Sequence, residues 1–204
     1  FRSPAPSSPA PVLPRWRRQS RLVPAAAGRL PGGGGSAAES VVLPFLASRG
    51  IDALDDVVVS HADLDHAGGL ETIGAALPAH RVLTGEPVTG FPDAEACRTT
   101  RGWETTGVRF EFLNASTAPQ SSGNDASCVL LVSAGSHRVL LPGDIEREAE
   151  SRLLQSGSIG PATVVVAPHH GSKTSSSRGF VDALAPEVHA ATAVAREVEI
   201  LSIG

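Results

Sequence analysis

The sequence has few aromatic residues and no methionine. Phe, Trp and Tyr together make up 4% of the 204 residues, so few rings are available to stack on nucleic-acid bases. Any contact with a nucleic acid would therefore depend on backbone and metal contacts. The lack of methionine, in a chain that opens at Phe1, predicts a processed piece or a fragment of a longer reading frame.

Long apolar runs are also missing. The longest, such as residues 162–167, fall far short of the roughly twenty residues that a membrane helix needs. The sequence therefore predicts no transmembrane segment and a chain that is soluble as given. Hydrophobic residues at 41% can build the core of one α/β domain, whereas the length is short of two full domains.

Positive charge and cysteine are scarce as well. A formal charge of −4 argues against a protein that holds polyanions by bulk electrostatics, although two divalent ions would add about four positive charges at a phosphate site. The spacing of Cys97 and Cys128 matches neither a zinc motif nor a disulfide framework. We expect two separate small hydrophobic residues rather than a disulfide.

Hydrophobic periodicity predicts the order of the elements. Residues 1–36 are rich in Pro, Ala, Ser, Gly and Arg, and most of this segment is predicted to be irregular. Helices are predicted at 38–49, with Gly50 as C-cap, and at 146–155 and 177–184. Strands are predicted at 57–59, 81–83, 108–112, 128–132, 138–141 and 163–166. This mixture of hairpin-spaced strands and helical crossovers favours a two-sheet αββα sandwich over a doubly wound parallel sheet.

The densest polar cluster follows the strand at 57–59. Its sequence is His61-Ala62-Asp63-Leu64-Asp65-His66-Ala67-Gly68-Gly69, a density of imidazole and carboxylate groups that is costly without a cation. In an extended turn, His61 and Asp63 project to one side, while Asp65 and His66 reach a second point nearby. The two glycines would let the chain turn tightly beneath the ions. We therefore favour a loop with ligands for two metals over an exposed loop whose histidines cap local groups.

Asp144 ends the apolar segment Leu140-Leu141-Pro142-Gly143-Asp144. From the end of a strand, its carboxylate could bridge two cations. Taken alone, the position is more typical of a turn or of a helix N-cap. The neighbouring motifs favour the metal role.

A third motif, Pro168-His169-His170-Gly171-Ser172-Lys173-Thr174, again follows a buried strand. Adjacent histidines point in different directions, so one can bind a metal while the other faces the substrate. Pro168 and Gly171 favour His170 as the ligand. The side chains after them offer donors suited to a phosphate oxygen; the alternative is a flexible serine-rich loop.

Three strings together carry a resemblance to a known family. "SHADLDHAGGL", "LPGDIEREAESRLL" and "APHHGSKTSSS" resemble the metallo-β-lactamase-fold domain at the C-terminal end of the ComEC family, the membrane channel proteins of bacterial DNA uptake. Shorter similarities extend the resemblance over residues 37 to about 188. It implies an αββα sandwich with a divalent-metal centre that degrades the DNA strand that is not imported.

The resemblance also implies a metal set, a substrate and a location. Asp63 stands where most of the superfamily has a second histidine, and Asn124 stands where a further metal-binding histidine is usual. The first metal position is thus rich in oxygen, and we expect two divalent ions, zinc or manganese. The implied substrate is single-stranded DNA. The implied partner is a membrane channel that is absent from this chain, which predicts association with the bacterial cell membrane.

Two departures from the family pattern concern the edges of the domain. The glycine-rich "DVGQGD" opening is absent, and Ala26-Ala27-Gly28 stands where a "DAG" turn is expected. The family's later His-Pro pair does not follow Val188. We therefore expect a domain over 37–204 that is family-like to about 188 and truncated at both edges, where the loss of edge strands would lower its activity.

The expected function is metal-dependent hydrolysis, by a phosphodiesterase or nuclease that acts on DNA during competence-related uptake. Asp65 or Asp144 would orient the attacking water, and His169 or Lys173 would stabilise the leaving oxygen. The predicted metal ligands are His61, Asp63, Asp65, His66, Asp144 and His170, and the predicted substrate-binding residues are Ser172, Lys173, Thr174 and Asn124. Alternatives are another hydrolase of this fold acting on a lactone, thioester or phosphorylcholine ester, a binding module without turnover, and an inactive fragment of a disrupted gene.

Overall fold

The computed structural model of the chain describes residues 22–24, 36–100, 102–113 and 122–190. Outside the described residues lie 1–21, 25–35 and 191–204. The turn expected at 26–28 is therefore among the residues that the structure does not describe. Three residues of the segment predicted as mostly irregular form a strand. No helix among the described residues is long and apolar enough to cross a membrane.

The described residues form two β-sheets with helices on the outer face of each. The first sheet has the order β1-β2-β3-β4 with parallel neighbours, and the second has the order β10-β9-β8-β7-β6-β5. The strands are β1 Leu22–Pro24, β2 Leu54–Val59, β3 Ala79–Thr84, β4 Glu95–Ala96, β5 Gly102–Thr105, β6 Val108–Phe112, β7 Leu130–Ala134, β8 His137–Leu141, β9 Val164–Val166 and β10 Val188–Ala190. The helices are α1 Leu43–Ser48, which continues a π-helical segment Ala38–Val42, α2 Leu64–Ala67, α3 Leu70–Ala76, α4 Arg147–Ser156 and α5 Arg178–Leu184.

Alternating side chains in the strands divide the apolar core into three layers. In β2, Val57 and Val59 pack with α1 and α3 on the outer face of the first sheet, whereas Val58 points between the sheets. In β7, Leu130 and Val132 point between the sheets, and the intervening residue packs beneath α4 and α5. Successive strand residues face opposite sides of a sheet, so these runs bury both faces. The layers confirm the predicted αββα sandwich.

Most of the predicted elements are present with shifted ends. The helix predicted at 38–49 ends at Ser48, and Gly50 has the left-handed φ of 64° that a helix C-cap needs. The strand at 108–112 has the predicted bounds, and the one predicted at 128–132 lies at 130–134. Six short or polar strands and α-helices were not predicted: β1, β4, β5, β10, α2 and α3. These elements are too short to show a clear hydrophobic period in the sequence.

The prediction of two separate cysteines is wrong. Cys97, after β4, and Cys128, before β7, form a disulfide with a Cα–Cα distance of 5.9 Å. Both residues are buried between the sheets. Their spacing of 31 residues carries no local signal, because sheet packing brings them together.

The predicted role of Gly68 and Gly69 is also wrong. Their φ values are −63° and −98°, in the right-handed helical region, so the chain does not use glycine's freedom there. Residues 64–67 form the short helix α2 instead of continuing an extended turn, with Asp63 extended at its N-cap. The turn of helix, rather than the glycines, places Asp65 and His66.

Three loops that follow strand ends meet at one edge of the sandwich. His61 follows β2 of the first sheet, Asp144 follows β8 and His170 follows β9 of the second. Because β8 and β9 are parallel neighbours, their carboxyl ends lie at the same edge. The backbone N–H of Cys128 donates to the carbonyl of Ser60 at 2.9 Å, which joins the two sheets beside these loops.

Candidate metal centre

Four side chains converge where these loops meet. Ligand atoms of Asp65, His66, Asp144 and His170 all lie within 4.8 Å of one another. His66 Nε2 lies 3.1 Å from Asp144 Oδ2 and 3.3 Å from His170 Nε2. Two ligands of one tetrahedral cation, each bound at about 2.1 Å, lie about 3.4 Å apart. The four groups thus have the spacing and the donor types of a divalent-metal site.

A second pair lies beside the four. His61 Nε2 is 3.4 Å from Asp63 Oδ2, and the His61 and His66 rings are 4.4 Å apart. The His61 ring is fully buried, and its Nε2 has no hydrogen-bond partner. A buried polar nitrogen that makes no hydrogen bond is costly. A cation ligated by His61 and Asp63 would remove that cost, so this pair also fits a metal.

Two serine hydroxyls orient the buried rings from behind. Ser60 Oγ lies 3.1 Å from His61 Nδ1 and 2.9 Å from His66 Nδ1. Ser127 Oγ lies 3.3 Å from His61 Nδ1 and accepts the backbone N–H of Asp144 at 3.0 Å. These contacts hold the Nδ1 edges of both rings and direct their Nε2 atoms towards the carboxylates. Such outer contacts commonly fix the tautomer of a metal-binding histidine.

The two consecutive histidines go to different partners. His170 Nε2 lies 3.3 Å from Asp65 Oδ2 and 3.4 Å from Asp144 Oδ2. His169 Nδ1 lies 3.1 Å from Glu146 Oε1. Both histidines have left-handed φ values, 49° and 52°, which are unfavourable for residues with a Cβ and are concentrated at functional sites. This turn separates the two rings.

The residues predicted to bind substrate lie beside His169 rather than within the group of four. Thr174 Oγ1 donates to Glu146 Oε1 at 2.8 Å and lies 3.0 Å from Ser172 Oγ. Asn124 Nδ2 donates to the same Glu146 oxygen at 3.4 Å. Lys173 is exposed, and its carbonyl accepts a hydrogen bond from Arg147. Lys173 thus stands at the rim of the site.

The charges of the buried groups are coupled. Burial and the nearby His66 lower the pKa of His61, which favours the neutral, ligating form. Burial opposes the charged forms of His66 and Asp144, but their mutual hydrogen bond and attraction outweigh it. The pKa of His66 is therefore raised and that of Asp144 is lowered. The hydrogen bond from Thr174 lowers the pKa of Glu146.

The sequence analysis missed four residues that shape the site: Ser60, Ser127, Glu86 and Glu146. Glu86 accepts the backbone N–H of Ala62 at 3.1 Å and that of Gly123 at 3.2 Å, so it joins the first histidine loop to the loop of Asn124. Ser60 and Glu146 are inside the quoted motifs, where their position next to a ligand-type residue was a usable signal. Ser127 and Glu86 had no such signal, because their contacts cross between distant segments.

Comparison with known proteins gives consistent matches. The family model described as Metallo-beta-lactamase superfamily matches residues 31–190. The chain is 38% identical over 153 residues to Competence protein ComA of Neisseria gonorrhoeae, covering 74% of this chain and 22% of that protein. It is 37% identical over 161 residues to Recombination protein 2 of Haemophilus influenzae, covering 76% of this chain and 19% of that protein.

Further matches include ComE operon protein 3 of Bacillus subtilis, 28% identical, with 74% of this chain and 21% of that protein covered. The chain thus spans between 19% and 22% of the length of these relatives. Among solved structures, the metallo-beta-lactamase fold protein YhfI from Bacillus subtilis matches with a TM-score of 0.41 and 13% identity, covering 72% of this chain and 69% of that chain. The sequence matches confirm the resemblance to the ComEC family.

Proposed function

The chain belongs to the metallo-beta-lactamase superfamily, and from that premise we propose that it is a metal-dependent phosphodiesterase that cleaves DNA. The observation that carries this proposal is the group Asp65, His66, Asp144 and His170, whose ligand atoms lie within 4.8 Å of one another. Hydrolases that use metal ions hold them with this type of mixed imidazole and carboxylate set.

We assign the ligands to two positions. His61 and Asp63 would hold one ion, and Asp65, His66 and His170 would hold the other. Asp144, which is 95% buried and close to both His66 and His170, would contact both ions. The oxygen-rich first position favours manganese or zinc. When bound, such ions would supply an activated water and positive charge at the phosphate.

The chain's own groups would direct the reaction. Asp65 or Asp144 would orient the attacking water. In hydrolysis the attacking water gives up a proton to bulk solvent and its oxygen bonds to phosphorus, while the bond from phosphorus to the leaving oxygen breaks and that oxygen gains a proton. His169, from its position beside the ligand cluster, would donate this proton or a hydrogen bond. Lys173 would neutralise charge from the rim, and Ser172, Thr174 and Asn124 would contact phosphate oxygens.

DNA is proposed as the substrate because of the relatives. Two of them are named a competence protein and a recombination protein. A carboxylate-rich site would repel a phosphate, so the proposed cations are needed for DNA to bind there. The low aromatic content predicts contacts with the sugar-phosphate backbone rather than stacking. We therefore propose single-stranded DNA, cleaved without strong sequence preference, and attachment to a membrane channel in the longer protein.

The proposed function is tested by metal loading and turnover. The chain is stripped of metal, reconstituted with manganese or zinc, and assayed on a single-stranded oligonucleotide, an aryl phosphodiester and a lactone. We expect about two ions per chain by elemental analysis and cleavage of both phosphodiesters. Turnover of the lactone alone would assign a different hydrolase activity of the same fold, and metal-loaded protein with no turnover would refute the proposal.

Asp65→Ala is the matched variant for the cluster. The Asp65 side chain is 56% exposed, so its loss removes a proposed ligand with little loss of core packing. We expect hydrolysis to be abolished while the folded structure is retained, as measured by circular dichroism and thermal unfolding. Asp52→Ala removes the same side chain from an exposed position outside the site and serves as the control; wild-type turnover in Asp65→Ala would contradict the assignment.

A further inference from the structure

Three donors surround one oxygen of Glu146, the residue that precedes α4. Thr174 Oγ1 lies 2.8 Å from Glu146 Oε1, His169 Nδ1 lies 3.1 Å from it, and Asn124 Nδ2 lies 3.4 Å from it. Glu146 has no capping hydrogen bond to the helix that it precedes. Its described side-chain partners therefore come from the two loops beside the metal cluster.

The hydrogen-bond chemistry determines which His169 nitrogen carries the proton. An ionised carboxylate accepts hydrogen bonds and cannot donate one. If Nδ1 presented its lone pair to Glu146 Oε1 at 3.1 Å, two acceptors would face each other and repel. Thr174 Oγ1 is also within 3.3 Å of Nδ1, but its single proton is directed to the closer carboxylate oxygen. Nδ1 must therefore carry the proton, and in the neutral ring the lone pair is on Nε2.

The backbone fixes the position of the same ring. His169 has φ 49° and ψ 47°, and His170 has φ 52° and ψ 25°. The His169 N–H donates to the carbonyl of Gly143 at 3.2 Å, and its carbonyl accepts the N–H of Ser172 at 2.8 Å. The main chain is thus held on both sides, and Glu146 holds the ring itself.

We propose that Glu146 is a positioning residue that holds the neutral His169 ring in its Nδ1–H tautomer, so that Nε2 is the atom that gains a proton in the imidazolium form and donates it to the leaving oxygen. The proposal rests on the proposed function for the role of Nε2, but the tautomer itself does not depend on turnover. Glu146 acts through His169 and is not a metal ligand in this assignment. Thr174 and Asn124 support it by holding the carboxylate.

The tautomer is measured directly by nitrogen-15 NMR of the zinc-loaded chain, with His169→Ala used to assign the His169 signals. We expect wild-type His169 to show the Nδ1–H form. In Glu146→Ala, where the acceptor is lost, we expect the Nε2–H form to appear, because Nδ1 no longer has a carboxylate partner. A wild-type ring in the Nε2–H form, or an unchanged spectrum in Glu146→Ala, would overturn the proposal.

Kinetics separate positioning from a general structural role. We expect Glu146→Ala to lower kcat on an aryl phosphodiester by roughly 10- to 100-fold, as for other residues that orient active-site groups, with KM and metal content unchanged. In the double variant Glu146→Ala/His169→Ala we expect no further loss beyond His169→Ala, because residues that act as one unit are not additive. Additive losses would show that Glu146 does not act through His169.

Glu148→Gln is the control on the same helix. Glu148 is 82% exposed and pairs with Arg152, so its neutralisation should leave both the His169 spectrum and kcat unchanged. If the wild-type chain proves inactive on phosphodiesters, the proposed function fails, while the spectra still decide the tautomer. The two failures are therefore distinguishable.

Discussion

At the scale of the residue, consecutive histidines have separate surroundings. His170 Nε2 is within 3.4 Å of Asp65, Asp144 and His66, whereas His169 contacts Glu146 and Thr174. Both pay the cost of a left-handed backbone. The strain is explained if each ring has its own task, one towards the metals and one towards the reacting phosphate.

The separation predicts different losses in the two alanine variants. His170→Ala should lower metal content and turnover together, because it removes a proposed ligand. His169→Ala should lower kcat by roughly 10²- to 10⁴-fold, the usual effect of losing an acid or an oxyanion contact, with metal content unchanged. Measuring the metal stoichiometry and the turnover rate of both variants side by side tests this division of roles. Equal metal loss in both variants, or in neither, would contradict this division of roles.

At the scale of the element, the loop after β8 must pass very close to the end of β2 and to the segment before β7. A Cβ on Gly143, whose φ is 61°, would lie 2.7 Å from Ser127 Cβ and 2.9 Å from Ser60 Cβ. Those serines orient His61 and His66. The missing side chain at Gly143 therefore lets Asp144 and the buried rings lie close together.

Gly143→Ala should therefore destabilise the fold more than the same change at Gly107. Gly107 also has a left-handed φ, 79°, but nothing lies within 4 Å of its Cβ position. Left-handed backbone costs an alanine about 1–2 kcal/mol, and crowding adds about 1–3 kcal/mol only at Gly143. Chemical denaturation of both variants measures the difference, and reduced metal affinity is expected for Gly143→Ala alone. Equal destabilisation would show that the contact with the serines relaxes freely.

At the scale of the whole molecule, the site depends on how two sheets are joined. The loop after β2 of the first sheet carries His61 and leads into α2, which carries His66. The loops after β8 and β9 of the second sheet carry Asp144 and His170. The disulfide between Cys97 and Cys128 joins segments next to each sheet, and the neighbouring Ser127 contacts His61. Stability of the interface between the sheets and geometry of the site are therefore linked.

The disulfide predicts a redox-dependent stability. Closing a loop across a sequence separation of 31 residues stabilises a folded chain by about 3.7 kcal/mol on chain-entropy grounds. We expect a reducing agent to lower the unfolding midpoint of the wild-type chain. The variant Cys97→Ala/Cys128→Ala should have a low midpoint that does not respond to the reducing agent. A wild-type midpoint that is the same with and without reductant would show that the two thiols are not bonded in solution.

The sequence by itself determined the features that depend on neighbouring residues. Continuous apolar runs at Val57-Val58-Val59 and at 128–132 encode strands buried on both faces, and the helices have a 3.6-residue period, so the sandwich could be predicted. Ligand-type residues after strand ends marked the candidate site, because the chain delivers them there directly. The exact role of each residue in that site stays a prediction.

Tertiary structure alone decided the contacts between distant segments. The disulfide between Cys97 and Cys128 was not predicted. No periodic signal in the sequence indicated three other contacts: Glu86 with Gly123, Ser127 with His61, and Glu146 with His169. Each such pair depends on how the strands and loops pack, and a one-dimensional pattern does not specify the partner of a hydroxyl or carboxylate many residues away. Local physics therefore placed the ligand-type residues after strand ends, and only the packing of two sheets determined which groups contact them.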